Sequence, residues 1–430
     1  MAAEAWLVVI AGLLCLLIFI SSRARGAMRV LLIAQVVYWA FSYLVRPLIL
    51  LMVNPAPAIN DSVADPRLAY YGYAQALPGV LAPVAFGLFV YSITVGIIVA
   101  ILRRKSDDLI PENVDLQAPA TFVIAYVLGW LVRMLPMTEG NSLLSTLSYM
   151  APIGAVGLIV YGRRQAGGSF MILGVLSLEL IWSVMSASKT PILAVVIAIA
   201  IRFGIIGWSR RRAISIAILG VAAAGGFSVF QSFKLGNGVK QDLAGADAAY
   251  PVWISPFMSI VRRFDLLSAM TDAVYLGPGN WMTPWEGVQT ALKGLVPRQF
   301  LLDEKVSAGS LWALEVRPVS TGVINPDVSL ADGFIAEGYA LNGFLGIALG
   351  AFFIAFLLFL VRKLLLSGSM FSRSLGILLI AYPALYERGV FGGLEIFGKS
   401  LQAAAVVWLI HILLVAALSR SRGNSRSGVS

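Results

Sequence analysis

Apolar residues along this chain come in long blocks rather than at a short repeat. Blocks of roughly 17 residues or more fall at 5–22, 28–53, 79–102, 119–136, 142–161, 169–186, 191–208, 213–233, 332–361, 370–386 and 401–418. Each can carry one helix across a hydrocarbon layer about 30 Å thick. The short alternating segments of a transmembrane barrel are missing from the pattern. The expected fold is an all-α polytopic integral membrane protein with about 11 transmembrane helices and one large external loop. Eight helices occupy 1–233, the loop 234–331 and three further helices 332–418, while 419–430 form a Ser/Gly/Arg-rich tail expected to be disordered.

The loop carries patterns of its own. In "FMSIVRRFDLLSAMTDAV", Phe257, Ile260, Val261, Phe264 and Leu267 share one helical face, so Pro251–Tyr275 is a candidate helix or re-entrant segment. A second candidate is "GNWMTPWEGVQTALKGLVPRQF", whose Trp281 and Trp285 suit a lipid interface. It should end at Val296, because the residue before Pro297 is steered away from the α conformation.

Charge then sets the orientation. Basic clusters fall at Arg23/Arg25/Arg29, Arg103/Arg104/Lys105, Arg163/Arg164, Arg210/Arg211/Arg212, Arg362/Lys363 and Arg420/Arg422/Arg426, which is every second connection. The positive-inside rule puts the N-terminus outside and the C-terminus in the cytoplasm. The net charge of +10 is explained by topology, and no nucleic-acid partner is expected. Glu4 before the first block and a basic flank after it argue for a retained span rather than a cleaved signal. Cys15 is the one cysteine and His411 the one histidine, so no internal disulfide, no zinc site and no metal or other cofactor is expected. His411 lies mid-span and reads as a packed helix-interface residue.

The remaining charges stand where topology puts few. Arg46, Arg133, Lys189, Arg262, Arg263, Arg298, Lys305, Arg317, Arg388 and Lys399 are all assigned to the outer side. A cation within a span costs about 2.5–3.5 kcal/mol on insertion scales. Snorkelling or a local ion pair accounts for any one of them. Together, on different spans, they suit one anionic site at headgroup depth, and a lipid-linked pyrophosphate fits that chemistry. Asp265 lies three positions after Arg262, so it either pairs with that residue or serves chemistry. Asp332 and Glu337 stand at the outer mouth of the ninth block. Asp332 reads as a helix-dipole partner, and Glu337, amid apolar residues, as a functional candidate. Gly343, Gly346 and Gly350 read as small-residue helix packing.

At motif level, "LVPRQFLLDEK" followed by "SLADGFIAEGYALNGFLGIALGAFF" resembles the bacterial O-antigen polymerases, or oligosaccharide repeat-unit polymerases. The matching features are Pro297-Arg298, then Lys305, then Glu337 ahead of a Gly-rich helix. "SASKTP" with Lys189 resembles a small-residue break that more often carries Arg, and "RRFDLL" resembles an Arg-containing loop helix. The likeness covers the whole architecture and, in motifs, residues 180–195 and 258–350. The related ligases depend on an external His that this chain lacks, which favours a polymerase.

The resemblance implies a metal-independent, GT-C-like glycosyltransferase in the bacterial cytoplasmic membrane. Its donor and acceptor would be undecaprenyl-diphosphate-linked oligosaccharides, and a chain-length regulator is a further partner such proteins can take. Arg298, Arg263, Arg133 and Lys189 would bind the diphosphates with Lys305 near them. Glu337 or Asp265 would be the base or acceptor-orienting acid. The alternatives are a flippase or transporter of a lipid-linked or anionic substrate, and a ligase-type transferase.

Overall fold

The computed structural model describes residues 1–57, 63–104, 118–135, 142–162, 167–186, 188, 190–207, 209–220, 222, 247, 250–296, 306–322, 324, 329–382 and 385–424. All regular structure among them is helical. The main elements are α1 (Ala3–Arg23), α2 (Gly26–Val53), α3 (Pro66–Tyr70), α4 (Tyr73–Arg104), α5 (Ala118–Arg133), α6 (Ser142–Ser148), α7 (Met150–Tyr161), α8 (Gly167–Met185) and α9 (Thr190–Ile206). They continue with α10 (210–220), α11 (Leu266–Leu276), α12 (Pro284–Leu295), α13 (308–321), α14 (Gly333–Leu365), α15 (Met370–Ala381) and α16 (Val390–Asn424).

Among the described residues, five helices are long and apolar enough to cross a membrane: α1, α2, α4, α14 and α16. The chain is therefore read as a multi-pass membrane protein. α5, α7, α8, α9 and α15 are apolar but shorter. The span expected at 370–386 is the clearest shortfall. α15 stops at Ala381 because Tyr382 precedes Pro383 and takes extended backbone, φ −106° and ψ 150°. The expected span at 213–233 lies mostly outside the described residues.

Helices inside a bilayer gain little from burying apolar surface against each other, so close packing must hold them. Glycines supply it. Gly129 on α5 lies against the Ala151 backbone of α7, and Gly154 on α7 against the Tyr126 backbone of α5. A Cβ at either position would overlap its neighbour. Residues flanking the basic clusters gather at one end of the bundle. Gly204 of α9 packs on Gly26 of α2, and Tyr161 of α7 donates to the Leu365 carbonyl at 2.7 Å.

α14 departs from its expected form. Hydropathy reads it as one span, but Asn342 (φ −159°, ψ 36°) and Gly343 (φ 57°, ψ −139°) are not helical. Gly338 packs on Gly346, and Gly350 on Phe334. Contacts between residues placed symmetrically about 342 mean that the chain doubles back. α14 is a helical hairpin. Its short arm, 333–341, is re-entrant, and its long arm, 344–365, extends about 33 Å at 1.5 Å per residue, enough to span. The Asn-Gly pair makes the turn, since the Gly343 backbone conformation is essentially closed to residues with a Cβ. Gly346 and Gly350 do serve close packing, within their own hairpin.

The expected helix Pro251–Tyr275 is also broken. Met258–Val261 is a single turn, and α11 begins only at Leu266. Val261 and Leu267 are buried while Phe257 is exposed, because the break resets the face. α12 is as expected at its end: Val296 is extended, with ψ 135°. It starts on a capping box between Thr283 and Glu286, with Pro284 at the first position. Trp285, Val288 and Leu292 form an exposed apolar stripe along it, suited to the bilayer surface.

Candidate functional site

Residues 385–389, ahead of α16, are irregular backbone inside the bundle. Such backbone is tolerated at membrane depth only where protein satisfies its polar groups. α2 does so. Gln35 Nε2 donates to the Leu385 carbonyl at 2.6 Å, and Trp39 Nε1 to the Tyr386 carbonyl at 3.2 Å. Gln35 is itself oriented by the Tyr91 hydroxyl, 2.6 Å from its Oε1. The Gly333 N–H donates to the Glu387 carbonyl at 3.2 Å, tying the re-entrant arm to the same segment.

Two carboxylates from the re-entrant arm close the N-terminus of α16. Glu337 Oε1 accepts from Val390 N at 2.6 Å, and its Oε2 from Phe391 N at 3.2 Å. Asp332 Oδ1 accepts from Gly389 N at 3.2 Å and from Gly333 N at 3.0 Å. Both side chains are fully buried. They meet the orphan N–H groups and the positive end of the α16 dipole as hydrogen-bond acceptors at a helix start. Gly389 permits this seat, because a Cβ there would overlap the Glu337 carboxyl. Tyr38 Oη, which faces this region, has no hydrogen-bond partner among the described residues. Nor does Ser42 Oγ, one turn beyond Tyr38 and inside the π-helical turn Phe41–Val45. Buried polar atoms left this way mark a place where water or a polar ligand belongs, and π-turns recur at functional sites.

Two arginines outside any ion pair among the described residues stand near this cluster. Arg263 is exposed and, like Glu387, within electrostatic reach of Tyr38. Arg388 donates to the Leu330 carbonyl at 3.0 Å and stands within reach of Asp332.

Other outer-side cations are already matched. Arg46 pairs with Asp265 and donates to Ser268 Oγ at 3.0 Å. Arg133 on α5 pairs with the buried Glu179 of α8 at 3.0 Å and lies over the Trp182 ring. Lys399 pairs with Glu395 at 2.6 Å, and Glu395 also accepts from Ala308 N at 3.1 Å. Arg262 pairs with Asp247 at 2.6 Å, not with Asp265. The α11 helix starts after Asp265, so the three-residue spacing to Arg262 is not a helical one.

Outside the spans, α3, α11 and α13 are locked by one network. Arg67 grips Asp65 through Nη2 at 2.6 Å and Nε at 2.9 Å, and also contacts Asp272 and Ser320. Asp272, fully buried on α11, accepts from Trp312 Nε1 at 3.1 Å and Arg317 Nε at 2.9 Å. Burial opposes the charge of Asp65. The hydrogen bonds and charge of Arg67 overcome that cost and hold its carboxyl below the usual range.

Of the residues singled out in the sequence, Glu337, Asp332 and Arg388 come together beside residues 385–389, with Arg263 within electrostatic reach of Tyr38. Asp265, a quarter exposed, is drawn to Arg46. Arg133 lies apart with Glu179. Arg298, Lys305 and Lys189 lie outside the described residues. The described flanks of 297–305 both rest on α16, with the Leu295 carbonyl at Gly398 and Ala308 at Glu395. Sequence reasoning passed over Glu179, a carboxylate within an apolar block and so a visible signal. It also passed over Arg67 and Asp272, which carried no local signal. His411 Nδ1 lies 2.8 Å from Thr121 Oγ1, at the α5–α16 interface, where it was expected. Among the described residues no group of three or more His, Cys, Asp or Glu is placed to hold a metal ion.

No protein-family model, curated protein or solved structure matches this chain.

Proposed function

We propose that the chain is a membrane glycosyltransferase that joins lipid-diphosphate-linked oligosaccharide units at the outer face of a bacterial cytoplasmic membrane. The observation that carries the reading is the buried polar cluster beside residues 385–389. It combines irregular backbone, buried polar atoms without partners and two arginines outside any ion pair among the described residues, Arg263 and Arg388. The acceptor hydroxyl attacks the anomeric carbon of the donor. The anomeric C–O bond breaks, its electron pair leaves with the lipid diphosphate, and the hydroxyl proton passes to a carboxylate or to water.

Cations lower this barrier by meeting the charge that develops on the leaving group. Arg263 and Arg388 serve that role among the described residues, with Arg298, Lys189 and Lys305 as further candidates. Arg133 contributes less, since Glu179 already takes its charge. Glu337 caps α16 and Asp265 pairs with Arg46, so either acts as the acid only by giving up a partner; Asp265, a quarter exposed, is the more accessible of the two.

A flippase or transporter reading has one observation in its favour: the break at Asn342–Gly343, since broken helices line many transport sites. Proteoliposomes holding the purified protein and a fluorescent lipid-linked repeat separate the two. A glycan ladder supports the transferase. Passage of the intact lipid between leaflets without a ladder supports the flippase and overturns the proposal.

A further inference from the structure

Above the tip of the α14 hairpin lies a half-open cavity of about 620 Å³ that the reaction scheme leaves unused. Its walls come from α12, α13 and the 279–282 link. That link is fixed to the hairpin by Gly279 N donating to the Tyr339 carbonyl at 3.2 Å, and by Trp281 N donating to the Ala340 carbonyl at 3.1 Å. The volume is that of a small-molecule site, within the usual range of roughly 300–1,000 Å³.

The lining is rich in acceptors. Glu286, Glu315, Asn280 and Thr290 supply the polar wall. Glu286 uses Oε2 on Thr283 N and Oγ1, both at 2.8 Å. The hydrogen bonds from the Thr283 backbone and hydroxyl hold its carboxyl below the usual range, so it stays an acceptor. Glu315 uses Oε2 on Trp281 Nε1 at 2.9 Å. In each carboxylate the second oxygen remains for a ligand. Trp281 is a fixed aromatic platform: beyond the bond to Glu315, its ring is edge-on to Trp312 at 5.1 Å and tilted on Phe391 at 5.6 Å. Leu311 and Val319 complete an apolar wall. Glu315 lies in a second π-helical turn, Trp312–Val316, and such turns recur at functional sites.

Acceptor oxygens that need donors, set beside a rigid indole, match a ring bearing several hydroxyls and an apolar face. We propose that this cavity is a saccharide subsite, taking one or two sugar rings of the glycan carried on the lipid. The inference rests on the transferase reading for the identity of that glycan, and it adds where the sugar portion docks, away from the diphosphate cations.

The test uses the full-length protein in detergent and the glycan freed from the host cell's lipid-linked repeat unit by mild acid. Binding is measured by titration calorimetry on wild type, Glu315→Gln and the cavity-filling Leu311→Trp. Binding by wild type is expected, weakened about tenfold in Glu315→Gln, where a charge-assisted bond becomes a neutral one, and lost in Leu311→Trp. Equal binding by all three proteins overturns the subsite. So does no wild-type binding alongside a ladder in proteoliposomes, and so does Glu315-dependent binding of ethanolamine-headgroup vesicles in place of the glycan. Glycan binding that both variants impair, with no ladder, upholds the subsite while the polymerase reading fails.

Discussion

Asp272→Asn removes the charge at the hub of the lock between α3, α11 and α13 while keeping the side chain's shape. Asp272 is fully buried and accepts from Trp312 and Arg317 while pairing with Arg67. Asp65 still answers Arg67 in the variant, but Arg317 loses its ion pair with Asp272. Breaking a buried pair by removing one partner costs about 3–5 kcal/mol, most of it from the charge left behind. That cost falls on opening α3, α11 and α13 rather than on the spans, which pack through glycines elsewhere. At 1.4 kcal/mol per decade, the local opening constant should rise roughly 10²- to 4 × 10³-fold. Hydrogen exchange in lipid nanodiscs reads this directly. Amides of 266–276 and 308–321 should lose protection, while α4 and the long arm of α14 keep theirs. If protection in α11 and α13 changes less than about threefold, the network does not hold the module and the reasoning is wrong.

Gly346→Ala places a methyl on the Gly338 carbonyl and should lower stability by about 1–3 kcal/mol or more, read as a fall in melting temperature; Gly174→Ala, with open space around its Cα, should not destabilise. Glu337→Gln keeps an acceptor oxygen for the α16 N–H groups, so ladder synthesis should stay within about tenfold of wild type, whereas loss of a general base would cost about 10²–10⁴. Asp65, whose carboxyl sits below its ordinary value, contributes stability in full above that ordinary value, near pH 4. The contribution is lost as pH falls through the depressed one. Limited proteolysis should therefore show the module opening on acidification, and Asp65→Asn should open it at neutral pH and flatten the acid limb.

Hydropathy and charge made the helical membrane class legible, because a block of apolar residues needs no knowledge of its neighbours to demand a bilayer. The end of α12 was legible for the same local reason, in Val296-Pro297. The hairpin was not. The apolar residues of 333–341 and 344–365 run on without a polar gap, so a turn at Asn342–Gly343 leaves the hydropathy profile unchanged. Charge pairing was not legible either. Asp265 has a nearby arginine at a plausible spacing, yet its partner is Arg46, 219 positions away. Long-range pairs of this kind depend on how helices pack, which composition and periodicity do not encode. The cap that Glu337 makes on α16 is similar: its partners stand 53 and 54 positions later, beyond the reach of any local motif.

The central claim is tested most directly by counting lipid diphosphate released per glycosidic bond formed. Purified protein in proteoliposomes is supplied with lipid-linked repeat units, and both products are quantified. The account predicts a lengthening glycan and one lipid diphosphate set free for each new linkage, both lost together in Arg388→Ala. Intact lipid-linked repeats with no free lipid diphosphate, from protein that retains its fold, would contradict it.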